Sequence, residues 1–551
     1  MVLTHDLRPS AHTHMRDRFL LVALLSLLTI AALYLFTTFS SVPVNRDAGY
    51  YIPLARAVLS GATPTVDIDT GYTPFVYYFL AAWISAFGQT TSSLILAVYL
   101  VNALNAFLLF LALLPYCQSV RLRLLLALSY WFTILVCQGY SIFLEPFQVF
   151  FLLLALVAYQ RTPQRYIGLA LAGLAVGASV MCKQYSAFPA AGLALMIASD
   201  LWRKTSLPGL LSMALLFILF ATLPFLIFVA LTPATLLESL QAFGFLGNRA
   251  LSYALSDVAG LSRGVLTVLI GVTEKAVLVN WLFAPIALYL LFPVRPATPS
   301  APPSPLPAWA LSLVPLLSRQ WGHYLQLVAP WSFLIAGSLV AGAREHLQTT
   351  CRNLTPLLLS GLAVIALLLP LYVVFTPSIK ASLPGPALAT AGSAVLLASL
   401  VLAVGVSSSC GPIRRTSLLL LVLLILGFQS MFLALKLPFS EMQENKSAQA
   451  TEARLLREIF PPESSVYVVD YPELYVTAQL IAPGGRYGFT HSAGRQYVPL
   501  DKATDWGAVD RVALRPGAPD VEGFLERAHF VRIEANPALQ LLLYEKKSEP
   551  R

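Results

Sequence analysis

Charge is what this sequence has least of. Only 11% of its 551 residues are Asp, Glu, Lys or Arg, against roughly 25% in an ordinary soluble domain, so a fold bathed in water over most of its surface is excluded. Cysteine is scarce too: Cys117, Cys137, Cys182, Cys351 and Cys410 all precede Pro438, and the chain beyond that point cannot hold an internal disulfide. The sequence has no phosphate-cradling glycine loop, no dinucleotide glycine fingerprint and no zinc-ligand spacing. The alternating pattern of a membrane barrel is missing as well.

Apolar residues make up 57% of the chain. They come in runs long enough to cross a hydrocarbon core about 30 Å thick as helices, where the backbone must satisfy itself internally. The runs fall at 19–39, 93–114, 122–139, 146–159, 167–182, 185–201, 207–231, 276–292, 306–317, 325–343, 354–375, 386–406 and 417–435. They predict an α-helical polytopic membrane protein with about thirteen transmembrane helices. The first run is long for a cleavable signal and is expected to be a retained anchor. A shorter aromatic run, 74–87, is expected to lie at the interface.

With residues 1–18 in the cytoplasm, the pairs Arg121 and Arg123, Arg161 and Arg165, Arg203 and Lys204, Arg344 and Arg352, and Arg414 and Arg415 all fall on the cytoplasmic side. The positive-inside rule thus accounts for most of the net charge of +9, with no need of nucleic acid as a partner. The expected membrane domain covers 19–437, with outer loops at 40–92 and 232–275 and a Pro-rich cytoplasmic linker at 293–307. Residues 438–551 are expected to form a small extracytoplasmic α/β domain, with a helix over 448–460 and strands near 466–470, 511–514 and 539–544.

The outer face collects the polar residues that can do chemistry. Asp47, in Val44-Asn45-Arg46-Asp47-Ala48-Gly49-Tyr50-Tyr51, follows the first span. It can cap an amphipathic helix beginning at Ala48, or it can serve as a carboxylate at the membrane surface. Glu145 precedes Pro146 between two spans, either as a solvated interfacial acid or as a functional one. Lys183 sits between spans with almost no polar turn around it, and can pair with Glu145, hold a phosphate or snorkel. Arg319 and His323 share a face if helical, to grip phosphate or to form an interfacial belt. Arg249 and Arg263, in an outer loop, either contact phosphate or are solvated. Asp67 and Asp69 are better explained as loop solvation. His5, His12 and His14 do not read as a metal site.

The order Arg46-Asp47-Ala48-Gly49-Tyr50-Tyr51, Tyr72-Thr73-Pro74-Phe75-Val76-Tyr77-Tyr78, Glu145-Pro146-Phe147, Lys183-Gln184, His323-Tyr324 with Pro330 resembles the GT-C superfamily, in the branch of protein O-mannosyltransferases and lipid A aminoarabinose transferases. The resemblance implies a GT-C-like fold. It implies inverting transfer of a sugar from a polyprenyl-phosphate donor to a lipid, glycan or protein acceptor at the outer face of a bacterial inner membrane. By motif position it makes Asp47 the general base and Glu145 the second acid. Arg46, Tyr50, Tyr72, Lys183, Arg249, Arg263, Arg319, His323 and Tyr324 are the candidate substrate-binding residues. It identifies no certain cofactor and leaves a divalent cation open. Two departures bear on specificity: Ala48 stands where many relatives carry Glu, and Thr73 where many carry Lys. A multi-helix transporter or flippase of a lipid-linked or small polar substrate is the alternative. It is disfavoured by the clustering of the charges at one face instead of mid-depth.

Overall fold

The computed structural model of the protein describes residues 44–64, 66–68, 72–117, 120–134, 141–243, 245, 302–319, 322–347, 439–469, 473–480, 509–514, 519–533, 539 and 541–547. The expected spans at 19–39, 276–292, 354–375, 386–406 and 417–435 lie outside the described residues, as do Asp69, Arg249, Arg263 and the three N-terminal histidines.

Two helices open the described chain, α1 (Arg46–Leu59) and α2 (Phe75–Phe87). The bundle continues with α3 (Thr91–Ala112), α4 (Val120–Ile134), α5 (Glu145–Arg161), α6 (Arg165–Cys182), α7 (Ala187–Trp202), α8 (Leu207–Leu231), the short α9 (Leu236–Ala242), α10 (Leu306–Arg319) and α11 (Leu325–Leu347). Local chemistry sets their starts. The Thr90 hydroxyl accepts the Ser93 amide before α3, and Pro146 occupies the first turn of α5, where its missing N–H costs nothing. The helix expected to begin at Ala48 begins at Arg46 instead, and its cap is Asn45, whose Oδ1 accepts the Ala48 amide at 2.6 Å. Capping by Asp47 is therefore corrected: the carboxylate sits inside the first turn, beside the positive end of the helix, and its capping role has gone to Asn45.

Among the described residues three helices are long and apolar enough to cross a membrane: Ser92–Ala112, Arg165–Cys182 and Leu207–Leu231. The last displays apolar side chains on nearly every side, including Leu211, Leu215, Ile218, Leu219 and Leu231. Such a surface is untenable in water and ordinary against acyl chains, which makes this a membrane protein. Helix α8 is held on its inner side by α6, where Gly173 and Gly177 allow backbone-to-backbone approach. A Cβ on Gly173 would lie 2.5 Å from the Phe217 carbonyl oxygen, and one on Gly177 would collide with the Ala221 carbonyl oxygen and the Pro224 ring. Small residues one turn apart are a common seam in lipid. Gly177→Leu should cost about 1–3 kcal/mol of stability by overpacking, read as a lower unfolding temperature in detergent. An unchanged temperature would show that the seam is loose.

The bundle has two chemically different ends. Glu145 at the start of α5 touches Lys183 just after α6, so the α5–α6 turn, flanked by Arg161 and Arg165, lies at the opposite end. Arg203 and Lys204 follow α7 at that same end, where Lys204 pairs with the buried Asp200, which also accepts the Tyr159 hydroxyl at 2.5 Å. The basic turns and the acid–lysine contact are thus segregated along the helix axes.

The C-terminal residues form α12 (Phe439–Ile459), β1 (Tyr467–Val469), α13 (Glu473–Thr477), β2 (Arg511–Leu514), α14 (Pro519–Arg527), β3 (Phe530–Ile533) and β4 (Leu542–Lys546). The sheet order is β1-β2-β4-β3, with β1 and β2 parallel and the other pairs antiparallel. Register puts Tyr467, Val512 and Tyr544 in one row, packed with Leu525 of α14. The next row, Val468, Ala513 and Leu543, faces the other way and joins a core containing Leu456 of α12 and Leu474 of α13. That core runs on without a break into Tyr50, Tyr51 and Leu54 of α1.

Candidate active site

The site is built where the chain breaks helical geometry. Lys183 leaves α6 in an extended conformation before a 3-10 turn, Gln184–Ser186, leads into α7. Gln148, one turn into α5, holds that break by donating through Nε2 to the Lys183 carbonyl at 3.0 Å. Ser179 Oγ donates to the Gln148 carbonyl at 2.9 Å, so α5 and α6 are laced together under the lysine. Thr73, after the aromatic Tyr72, donates to the Val180 carbonyl at 2.8 Å, which fastens the start of α2 to the same place.

The Lys183 ammonium meets Glu145 Oε1 at 2.7 Å, both side chains almost completely enclosed. It lies 5.0 Å from the ring of Tyr72 and 4.7 Å from that of Tyr324, a cation held over two aromatic faces. Burial works against the charged lysine, but Glu145 and the neighbouring phenols outweigh it, and its pKa stands well above the ordinary value. His323 Nε2 approaches the same Glu145 oxygen at 3.9 Å, and its ring stacks on Phe143 at 4.4 Å. Glu145 Oε2 and Gln148 Oε1 are buried and accept no hydrogen bond from the described residues.

Asp47 is tied to this cluster through Tyr51. Burial pushes the Tyr51 phenol well above its usual range, and the carboxylates of Asp47 and Glu145 both push it further; its ring packs on Tyr72, which lies under the Lys183 ammonium. Tyr51 makes edge contacts with Tyr72 at 6.2 Å and with Tyr50 at 5.9 Å. The structure therefore gathers Asp47, Tyr50, Tyr72, Glu145, Lys183, His323 and Tyr324 at one end of the bundle.

Other candidates fare differently. Arg46 opens α1 and Arg319 closes α10, but their side chains are outside the described residues. The shared helical face expected for Arg319 and His323 does not form, because α10 ends at Arg319 and His323 lies in a separate 3-10 turn, Gly322–Tyr324. Asp67 accepts the Thr63 amide at 2.7 Å, a loop closure. Among the described residues no three His, Cys, Asp or Glu side chains group to hold a metal ion. Sequence reasoning gave no role to Tyr51, although it closes the quoted motif from Arg46, and passed over Gln148, whose only signal was its place three residues after Glu145.

Burial pushes the His323 imidazole down to about 4 despite the Glu145 carboxylate. The folded protein keeps this ring neutral while an unfolded chain protonates it below about 6.5. Its contribution to stability is present above that pH and is lost as pH falls toward 4. The unfolding temperature should drop between pH 7 and pH 5, and the drop should shrink in His323→Gln. An equal drop in both proteins would refute a buried neutral imidazole.

No protein-family model matches the sequence, and no curated protein matches it. Solved structures do match the fold. Two crystal structures of ArnT from Cupriavidus metallidurans, one bound to undecaprenyl phosphate and one in the apo state, superpose with TM-scores of 0.52 and 0.53 at 16% and 15% identity. Each alignment covers 94% of this chain and 97% of ArnT. At that identity it is the fold alone that is shared: this chain has the overall fold of ArnT. The archaeal oligosaccharyltransferase AglB from Archaeoglobus fulgidus overlaps more loosely, with a TM-score of 0.47 at 13% identity over 96% of this chain and 74% of that one.

Proposed function

We propose that the protein is an inverting membrane glycosyltransferase that moves a sugar from a polyprenyl-phosphate donor to a lipid, glycan or protein acceptor of the cell envelope. The observation that carries this reading is the buried Lys183–Glu145 pair over Tyr72, against which Tyr51 packs one turn along the helix from Asp47. A ready base and a buried second acid next to a cation match what the transfer demands. The undecaprenyl phosphate bound to ArnT supports the donor class.

In the reaction the acceptor heteroatom forms a bond to the anomeric carbon while the bond from that carbon to the phosphate oxygen breaks. Asp47 takes the acceptor proton, and the electron pair of the broken bond leaves with the polyprenyl phosphate. A base within hydrogen-bond reach typically contributes about 10²–10⁴-fold. Glu145 keeps one oxygen on Lys183 and turns the other to a substrate hydroxyl, which would satisfy an acceptor that is costly to bury alone. Lys183, already neutralised by Glu145, supplies local field and not a spare charge. The main phosphate grip falls to Arg46, Arg249, Arg263 or Arg319, with His323, Tyr324, Tyr50 and Tyr72 shaping the pocket.

In this reading residues 1–18 are cytoplasmic, 19–437 form the transferase domain of the bacterial inner membrane, and 438–551 lie outside. The segregation of Arg161, Arg165, Arg203 and Lys204 from the acid cluster supports that orientation. Purified protein given a panel of radiolabelled polyprenyl-phosphate hexoses and pentoses should strip label from at least one lipid, with inversion at the anomeric carbon. Label that stays on every lipid would defeat the reading.

A further inference from the structure

The C-terminal residues are tied to the helix that bears Asp47 at both of its ends. At the start, the Val44 amide donates to Gln449 Oε1 at 3.1 Å and Gln449 Nε2 donates to the Val44 carbonyl at 3.0 Å. One side chain from α12 thereby pairs both polar groups of a single backbone residue. Val44 is buried, and buried backbone groups must find partners. A carboxamide offers a donor and an acceptor in that geometry at every working pH, which a carboxyl group does only when protonated. Asn45, the next residue, caps α1, and Asp47 follows within the first turn. At the far end, Arg56 Nη1 donates to the Tyr475 carbonyl of α13 at 3.4 Å. The two ties are twelve residues apart, about 18 Å along a helix. Between them α1 buries Tyr50, Tyr51 and Leu54 in a core shared with Leu456, Leu474 and Tyr475.

From this we infer that the C-terminal domain is a working part of the catalytic centre: Gln449 is a positioning residue that sets the entry of α1, and with it the placement of the Asp47 carboxylate. The inference rests on the proposed function above. What Gln449 touches is the backbone of Val44, three residues before Asp47, so the effect runs through backbone placement. Misplacing a reacting group by about 1 Å costs on the order of a hundredfold in rate, and the loss falls mainly on kcat because Asp47 acts on the acceptor proton while most of the proposed donor-binding residues lie outside α1.

The experiment measures steady-state transfer by the full-length protein in liposomes, using a lipid-phosphate sugar that the wild type consumes. Gln449→Leu, which removes both hydrogen bonds, should lower kcat by roughly tenfold to a hundredfold while the donor KM holds. Gln449→Glu is nearly isosteric and guards against misfolding of the first variant. At pH 8 its carboxylate still accepts from Val44 but sets an oxygen against the Val44 carbonyl. As pH falls, the protonated acid regains a donor, so the ratio of variant to wild-type kcat should rise. A folded Gln449→Leu with unchanged kcat, a loss carried wholly by KM, or a Gln449→Glu ratio flat with pH would each overturn the inference. In those cases an active wild type and an inactive Asp47→Asn would leave the proposed function standing. A wild type that consumes no lipid-linked sugar would overturn both.

Discussion

Asp47→Asn should reduce transfer by about 10²–10⁴-fold without reducing the amount of protein in the membrane. The substitution keeps the size of the side chain and its place in the first turn of α1, and Asn45 still caps the helix. What it removes is the capacity to accept a proton and the negative charge felt by Tyr51. The donor should still bind, so polyprenyl-phosphate sugar should accumulate uncleaved and KM should change little. Quantifying glycan product against immunodetected protein checks this. Full transfer by the variant would move the base to another residue.

The second large effect concerns the buried pair. Lys183→Met leaves Glu145 ionised among aromatic rings with no counter-charge, and breaking such a pair from one side costs about 3–5 kcal/mol. The variant should be poorly recovered and unfold at much lower temperature. Glu145→Gln combined with Lys183→Met removes both charges, and replacing both partners is often close to neutral for stability. The double variant should therefore regain most of the lost unfolding temperature yet remain inactive. That split separates the structural role of the pair from its chemical one. A double variant as unstable as Lys183→Met would mean that the lysine packs, and does not merely pair, against Tyr72 and Tyr324.

Much of this was legible in the sequence, for physical reasons that vary by element. Residues 207–231 and 511–514 were expected with the bounds they have, because uninterrupted apolar length and a short Val-Ala-Leu run closed by Arg515-Pro516-Gly517 each have few alternatives. Asp47, Glu145 and Lys183 stood out as charges among apolar residues, where charge needs a reason. Pairing of Lys183 with Glu145 was one of three readings open for that lysine, and the packing of α5 against α6 selects it. Helix α12 begins at Phe439 instead of near 448 because Ser440 to Lys446 carry no apolar period to announce a helix. Gln449 falls inside the expected helix, but its partner is backbone and leaves no trace in sequence. Helix α14 and β3 were missed because Pro519–Arg527 is short and polar, and Phe530–Ile533 shows half of its length to solvent.

The central claim is that the end of the bundle holding Asp47, Glu145 and Lys183 receives the phosphate of a lipid-linked sugar. Determining the structure of the full-length protein with undecaprenyl phosphate bound tests it most directly. The account predicts phosphate density within hydrogen-bond reach of the pocket lined by Tyr51, Tyr72 and Tyr324. Density seated instead among Arg161, Arg165, Arg203 and Lys204 at the opposite end would contradict it.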